Sequence, residues 1–225
     1  MKRVLFLIGT AVLFGLFLLA MWQDLNREWT GYQRTFFRSL AKEERRGLSG
    51  GIKQVILEDL RRVDRCTTCH LAIDKPQLAL AEQPFTAHPG GYLASHPPEK
   101  FGCTVCHGGQ GLATEVKAAH GEVKHWEEPL LRGGLVQASC NKCHGDLKAI
   151  RSHVPLLSQG VELYKQHGCA GCHAVHGFGQ TVSIDLSEIG EKPWQLLDFT
   201  FVKGPHTLPQ WIVEHFQDPR RVTPG

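Results

Sequence analysis

All eight cysteines of this chain fall in four frames of one form. They read Cys66-Thr-Thr-Cys69-His70, Cys103-Thr-Val-Cys106-His107, Cys140-Asn-Lys-Cys143-His144 and Cys169-Ala-Gly-Cys172-His173. Two thiols separated by two residues can add to the two vinyl groups of a haem, and the histidine that follows reaches the iron from one face. Zinc ribbons, thioredoxin-like dithiols and disulfide scaffolds also use paired cysteines, but none needs a histidine after each pair. At ordinary histidine frequencies, four such histidines arise by chance less than about once in a hundred thousand. The frames therefore predict four covalently attached c-type haems.

Each haem iron has a second face. Nine histidines lie outside the frames: His88, His96, His120, His125, His153, His167, His176, His206 and His215. The two methionines are Met1 and Met21, both in or beside the N-terminal apolar run. Histidine on both faces is thus the expectation for the first three haems, and it lowers the potential relative to a His/Met pair. The candidate distal ligands are His96, His120, His125 and His153, with His88 behind them. His96 precedes Pro97-Pro98, which stiffens its segment. His120 follows a short helical stretch over 113–119. The glycines around Gln110 form no phosphate loop and are expected to let the backbone approach a porphyrin closely.

Several elements must position these groups. Lys2 and Arg3 precede an uncharged run over residues 4–22. As a helix it spans about 28 Å, close to the hydrocarbon core of a bilayer. The run passes into Gln23-Asp24 with no small-x-small cleavage site, so an uncleaved signal-anchor over 1–22 is expected. The positive tip stays in the cytoplasm and Trp22 marks the far interface. The haem-bearing part then lies on the periplasmic side of a bacterial inner membrane. A helical juxtamembrane linker over 23–51 follows, with Trp29, Gln33, Phe36 or Phe37 and Leu40 at helical spacing.

The expected fold is mostly α, with one N-terminal transmembrane helix and long haem-wrapping loops. Four porphyrins would supply much of the apolar interior. A three-haem region is expected over 52–155, where the first three frames recur at intervals of 37 residues, and a one-haem region over 156–225. In the second region a helix over 159–167 precedes the fourth frame, and another runs over 207–216 with Thr207 as N-cap.

The second region resembles a class I monohaem cytochrome c. The matching residues are Gly160, Tyr164, Gly168-Cys-Ala-Gly-Cys-His173, Gly177-Phe-Gly179, Asp185-Leu186-Ser-Glu-Ile-Gly190 and Trp211-Ile-Val-Glu-His-Phe-Gln-Asp-Pro219. The resemblance implies a Met-Pro ligand loop after the last of these and a closing helix that packs across the first. This sequence has no Met after Met21, and it has Ser183-Ile184 where Gly-Pro is usual. Three readings stand: a longer polypeptide, completion by another subunit, or a fourth haem that uses His206 or His215 or is open on one face. The first region is similar to the multihaem cytochrome c subunits of quinol-oxidising membrane complexes of the cytochrome b and Rieske type. That similarity rests on the N-terminal anchor, Arg62-Val-Asp-Arg-Cys66-Thr-Thr-Cys-His70, Phe101-Gly-Cys-Thr-Val-Cys-His107-Gly-Gly-Gln-Gly111 and Ala119-His120-Gly121.

The formal net charge of +3 is too small to argue for nucleic acid. Propionates and ferric centres of four haems would bring it to about −1. Arg61, Arg62, Arg65 and Arg151 are therefore expected to face propionates or lipid headgroups. The expected function is electron transfer from a membrane quinol-oxidising complex, its partner, to a soluble cytochrome or an oxidase, with the fourth haem as the exit. The alternatives are a multihaem reductase with an open coordination site and a structural haem subunit.

Overall fold

The computed structural model describes residues 2–126, 128–145 and 149–222. The fold is mostly helical, at 47% of the chain. Among the described residues, strand is confined to two short antiparallel hairpins. The chain forms two compact units, Met1–Lys142 and Cys143–Gly225. The expected regions met at 155/156; the observed boundary falls inside the third frame, between Lys142 and Cys143.

The first unit opens with α1, Lys2–Leu25, whose side chains are all exposed. Its 24 residues reach about 36 Å as a helix, enough to cross a bilayer. It is the one candidate membrane span among the described residues. The single juxtamembrane helix expected from the pattern is interrupted at Asn26-Arg27. A shorter helix, α2, follows as Glu28–Ser39, and turns occupy 42–47.

The apolar stripe of α2 turns onto the protein itself. Phe36 and Leu40 are buried against Leu71 and Ala72, with Phe37, Leu48, Leu78 and Phe85 at the margin. Phe36 and Phe85 meet with ring centroids 5.4 Å apart. Gln33, on the same stripe, is buried because its amide is fully used. Its Nε2 donates to the Gly51 carbonyl (2.7 Å) and to the Thr68 carbonyl (3.0 Å), while its Oε1 accepts from the Gly51 N–H (2.8 Å). Thr68 lies inside the first frame, so α2 is bonded directly to that frame.

Beyond α2 the first unit is a chain of turns. Strands β1, Val55–Leu57, and β2, Arg62–Asp64, pair antiparallel with Val55 opposite Asp64. Four one-turn helices follow: α3, Tyr92–Ser95; α4, Pro98–Phe101; α5, Thr104–His107; and α6, Val116–Ala119. A 3-10 run over Gly133–Lys142 packs against α5 and carries Cys140. In the second unit α7 spans Pro155–Gln166, with Pro155 in the first turn where its missing N–H costs little. A hairpin of β3, Ala174–Val175, and β4, Phe178–Gly179, follows the fourth frame. Helix α8, Leu208–Gln217, starts as expected at Thr207, whose side chain accepts from the Gln210 N–H. Helix α9, Pro219–Val222, packs against α8. Residues 223–225, beyond which the class I pattern would place its methionine loop, lie outside the described residues.

The α2 cluster is the main packed apolar nucleus of the first unit, and Phe36 is 1% exposed within it. Phe36→Ala should destabilise that unit by about 3–5 kcal/mol. Phe17→Ala on the exposed face of α1 should leave the denaturation midpoint unchanged. Denaturant titration of the detergent-extracted protein checks both.

Candidate haem sites

The first two frames meet at one carboxylate. Asp64 ends β2 and is 2% exposed. Its Oδ1 accepts from the Cys66 N–H (3.0 Å), an Asx turn onto the residue two further on. Its Oδ2 accepts from the N–H groups of Cys103 and Thr104, both at 2.8 Å. Burial alone would raise the Asp64 pKa, but the backbone donors of Thr104, Cys103 and Cys66 outweigh it and hold the group below its ordinary value. The Asp64 carboxylate and the sulfurs of Cys66 and Cys103 all lie within 4.8 Å of one another. Gly102, at φ +63°, passes so close to Leu57 and Asp64 that a Cβ there would press on both.

This trio is the one group of three or more potential metal ligands among the described residues. A cation is a poor fit to it. Three backbone donors already occupy the Asp64 oxygens. As a thiol, Cys66 is pushed well up by its bond to Cys103, by burial and by the Asp64 charge. Burial and Glu28 push Cys69 up to about 11. Both sulfurs are thus held in the neutral form. No disulfide joins any of the eight cysteines. Neutral sulfurs bonded to carbon suit these surroundings, and thioether attachment provides them.

Ring contacts set the histidines of the first two frames apart. The His70 ring faces that of His120 with centroids 6.5 Å apart and a 41° tilt. The His107 ring faces that of His88 at 6.1 Å and 80°. His88 Nδ1 lies 2.9 Å from the Pro89 carbonyl, so a proton there leaves Nε2 as a lone-pair donor. A ring nitrogen of His107 bonds the Leu131 backbone. Burial first, then the neighbouring imidazoles His120 and His107, lower the His70 pKa. Burial and His88 do the same to His107. Both rings are therefore held neutral, the form that ligates iron.

In the second unit, residues 180–186 fold back over the fourth frame. Gln180 N–H donates to the Ala170 carbonyl, Ser183 N–H to Cys172 and Leu186 N–H to Ala174, each at 2.8 Å. His173 Nδ1 lies 2.9 Å from the Ile184 carbonyl, and the Tyr164 hydroxyl donates to the His173 carbonyl at 2.5 Å. The imidazole is thus locked with its other nitrogen available, as a proximal ligand needs. His215 stacks on Trp211 with centroids 5.0 Å apart, and its Nδ1 is buried without a partner. Burial and the nearby His173 lower its pKa. His206 stacks on Phe199 at 5.0 Å.

The other expected ligands are placed differently. His96 packs edge-on against Phe101, with Nδ1 3.2 Å from the Tyr92 carbonyl. His125 is exposed on a left-handed backbone at φ +68°. His153 is exposed after the third frame, its N–H held by the Ile150 carbonyl at 2.8 Å. In the third frame Cys140 is half-buried and Cys143 exposed. Gly108, Gly109 and Gly111, expected against a porphyrin, instead admit the backbone carbonyls of Pro129, Ala119 and Val63. Among the arginines, Arg62 reaches Glu128 (3.4 Å), Arg65 binds Gln54 and the Leu112 carbonyl (both 2.8 Å), and Arg151 lies 3.9 Å from Glu162.

Sequence reasoning missed one residue of this arrangement, Asp64, and ranked another, His88, low. Asp64 carried a legible signal, an Asp two residues before a cysteine, but that signal marks only the local turn. His88 stood behind the other candidates because Ala87-His88-Pro89 has no distinctive spacing. Comparison with known proteins yields no match: no family model, curated protein or solved structure matches this chain.

The second frame has the full donor set that covalent haem needs: two half-buried sulfurs, an adjacent neutral imidazole and a backbone bond from that imidazole to Leu131. Asp64→Asn removes a carboxylate that accepts three backbone N–H bonds and should cost about 3 kcal/mol at pH 7. Because the folded Asp64 pKa is depressed, its contribution is full above the unfolded value of about 3.9 and is lost as pH falls through the folded one. The gap between wild type and variant should therefore close in acid. Denaturation midpoints measured from pH 7 to pH 3 check this.

Proposed function

We propose that this chain is a membrane-anchored tetrahaem c-type cytochrome. In this reading it carries electrons between a quinol-oxidising membrane complex of the cytochrome b type and a soluble cytochrome or an oxidase. The observation that carries it is the repetition of one attachment frame four times, using every cysteine in the chain. The surroundings of the frames support it: backbone groups bond a ring nitrogen of His107 and of His173, and the His70 ring packs against that of His120.

The haem-bearing region is then extracytoplasmic, tethered by α1 with Lys2 and Arg3 at the cytoplasmic end. Bound, each haem supplies one-electron ferric–ferrous chemistry. The protein's part is to hold and orient. Cys66, Cys69, Cys103, Cys106, Cys140, Cys143, Cys169 and Cys172 fix the four groups covalently, so repeated reduction cannot release them. His70, His107, His144 and His173 take the proximal positions. Asp64 fixes the first two attachments relative to each other. In the second unit the class I cytochrome c resemblance is carried by α7, the wrapped fourth frame and α8, with Tyr164 bonded to the frame.

Expression in a host with the cytochrome c maturation machinery should raise the intact mass by about 2.5 kDa over the polypeptide, at roughly 0.62 kDa per haem. Replacing Cys169 and Cys172 together with alanine should remove about 0.62 kDa of that gain. In membranes from such a host, added quinol should reduce the haems and a soluble ferric cytochrome should reoxidise them. A native protein at the bare polypeptide mass overturns the proposal.

A further inference from the structure

We infer that His120 and His88 are the distal iron ligands of the first and second haem sites, opposite His70 and His107 respectively. The inference rests on the tetrahaem reading above and assigns ligands within it. A metal–imidazole bond is about 2 Å long and the ring centre lies about 1.1 Å behind the nitrogen, so two imidazoles on opposite faces of one metal have centroids roughly 6.3 Å apart. The two pairs stand at 6.5 Å and 6.1 Å, one just above and one just below that value. Unliganded ring contacts can fall in the same range, so spacing alone does not decide.

The backbone supplies the second argument. His88 Nδ1 faces the Pro89 carbonyl at 2.9 Å, the outer-shell bond that fixes a metal-bound imidazole. Its own N–H donates to the Ile73 carbonyl at 3.0 Å, which holds it on the turn that leaves the first frame. His120 caps α6 and is held at both ends. Its N–H donates to the Val116 carbonyl at 2.9 Å, and its carbonyl accepts from the Leu130 N–H at 2.9 Å. Gly121, at φ +72°, lets the chain turn under the Trp126 ring immediately afterwards. Both rings are thus delivered by fixed backbone rather than by mobile loops.

The pairing also crosses. The segment after the first frame supplies the ligand to the second site, and the segment after the second frame supplies the ligand to the first. With the sulfurs of Cys66 and Cys103 within 4.8 Å, the two sites form one interlocked unit.

The test uses the full-length, haem-loaded protein. His120→Ala and His88→Ala should each keep four haems by intact mass, gain one high-spin ferric haem per molecule by electron paramagnetic resonance, and bind one more equivalent of carbon monoxide when reduced than wild type. Added imidazole should return each variant to the wild-type spectrum. His167→Ala, an exposed position in the second unit, should change neither readout. His120→Met and His88→Met retain a ligand and should each raise the potential of one haem and show a methionine–iron charge-transfer band, which keeps the test decisive if an alanine variant fails to mature. Four haems with unchanged spin state, carbon monoxide stoichiometry and potentials in the variants overturns the pairing alone. A wild-type protein without haem overturns the tetrahaem reading instead.

Discussion

One buried carboxylate organises the first unit. Asp64 accepts N–H bonds from Cys66 on its own side and from Cys103 and Thr104 across the fold. A charge 2% exposed is costly unless its lone pairs are satisfied, and here backbone dipoles satisfy them. The bonds therefore dictate position. The β1–β2 hairpin must present Asp64, Gly102 must pass without a side chain, and α5 must begin where its first N–H groups reach the carboxylate. Two Cys-x-x-Cys-His frames far apart in sequence are brought to one point because both supply donors to the same group.

Around that point the protein has little apolar core. The α2 cluster packs Phe36, Leu40, Leu71 and Ala72, and the other buried apolar residues among those described are scattered. What holds the rest is backbone hydrogen bonding across turns, as where Gly109 and Gln110 donate to Glu128 and Ala119. This architecture suits a chain whose apolar interior is a set of flat prosthetic groups. Hydrogen-bonded loops can follow the outline of a planar ring.

The same logic explains the link from anchor to frame. Gln33 on α2 is hydrogen bonded to the Thr68 carbonyl inside the first frame, and Glu28 accepts from the Val116 N–H at the start of α6. Helix α2 is therefore bonded to the part of the chain that carries the first two frames.

The sequence by itself determined the four Cys-x-x-Cys-His frames and the apolar N-terminal helix. A frame needs only five consecutive residues and such a helix only one apolar run, so both are local and legible. The Thr207 cap and the stripe of Gln33, Phe36 and Leu40 were legible for the same reason, although the break at Asn26-Arg27 was not. Only the tertiary structure decided which histidines face which frames and gave Asp64 its role. Those relations join residues many positions apart, 39 between Asp64 and Cys103. Loop closure at that range depends on turn geometry and on the satisfaction of buried backbone groups, which residue spacing does not encode. His96 and His125 looked as suitable as His120 on paper. Their backbones turn one toward Phe101 and the other to solvent, while the turn at Gly121 holds His120 opposite His70.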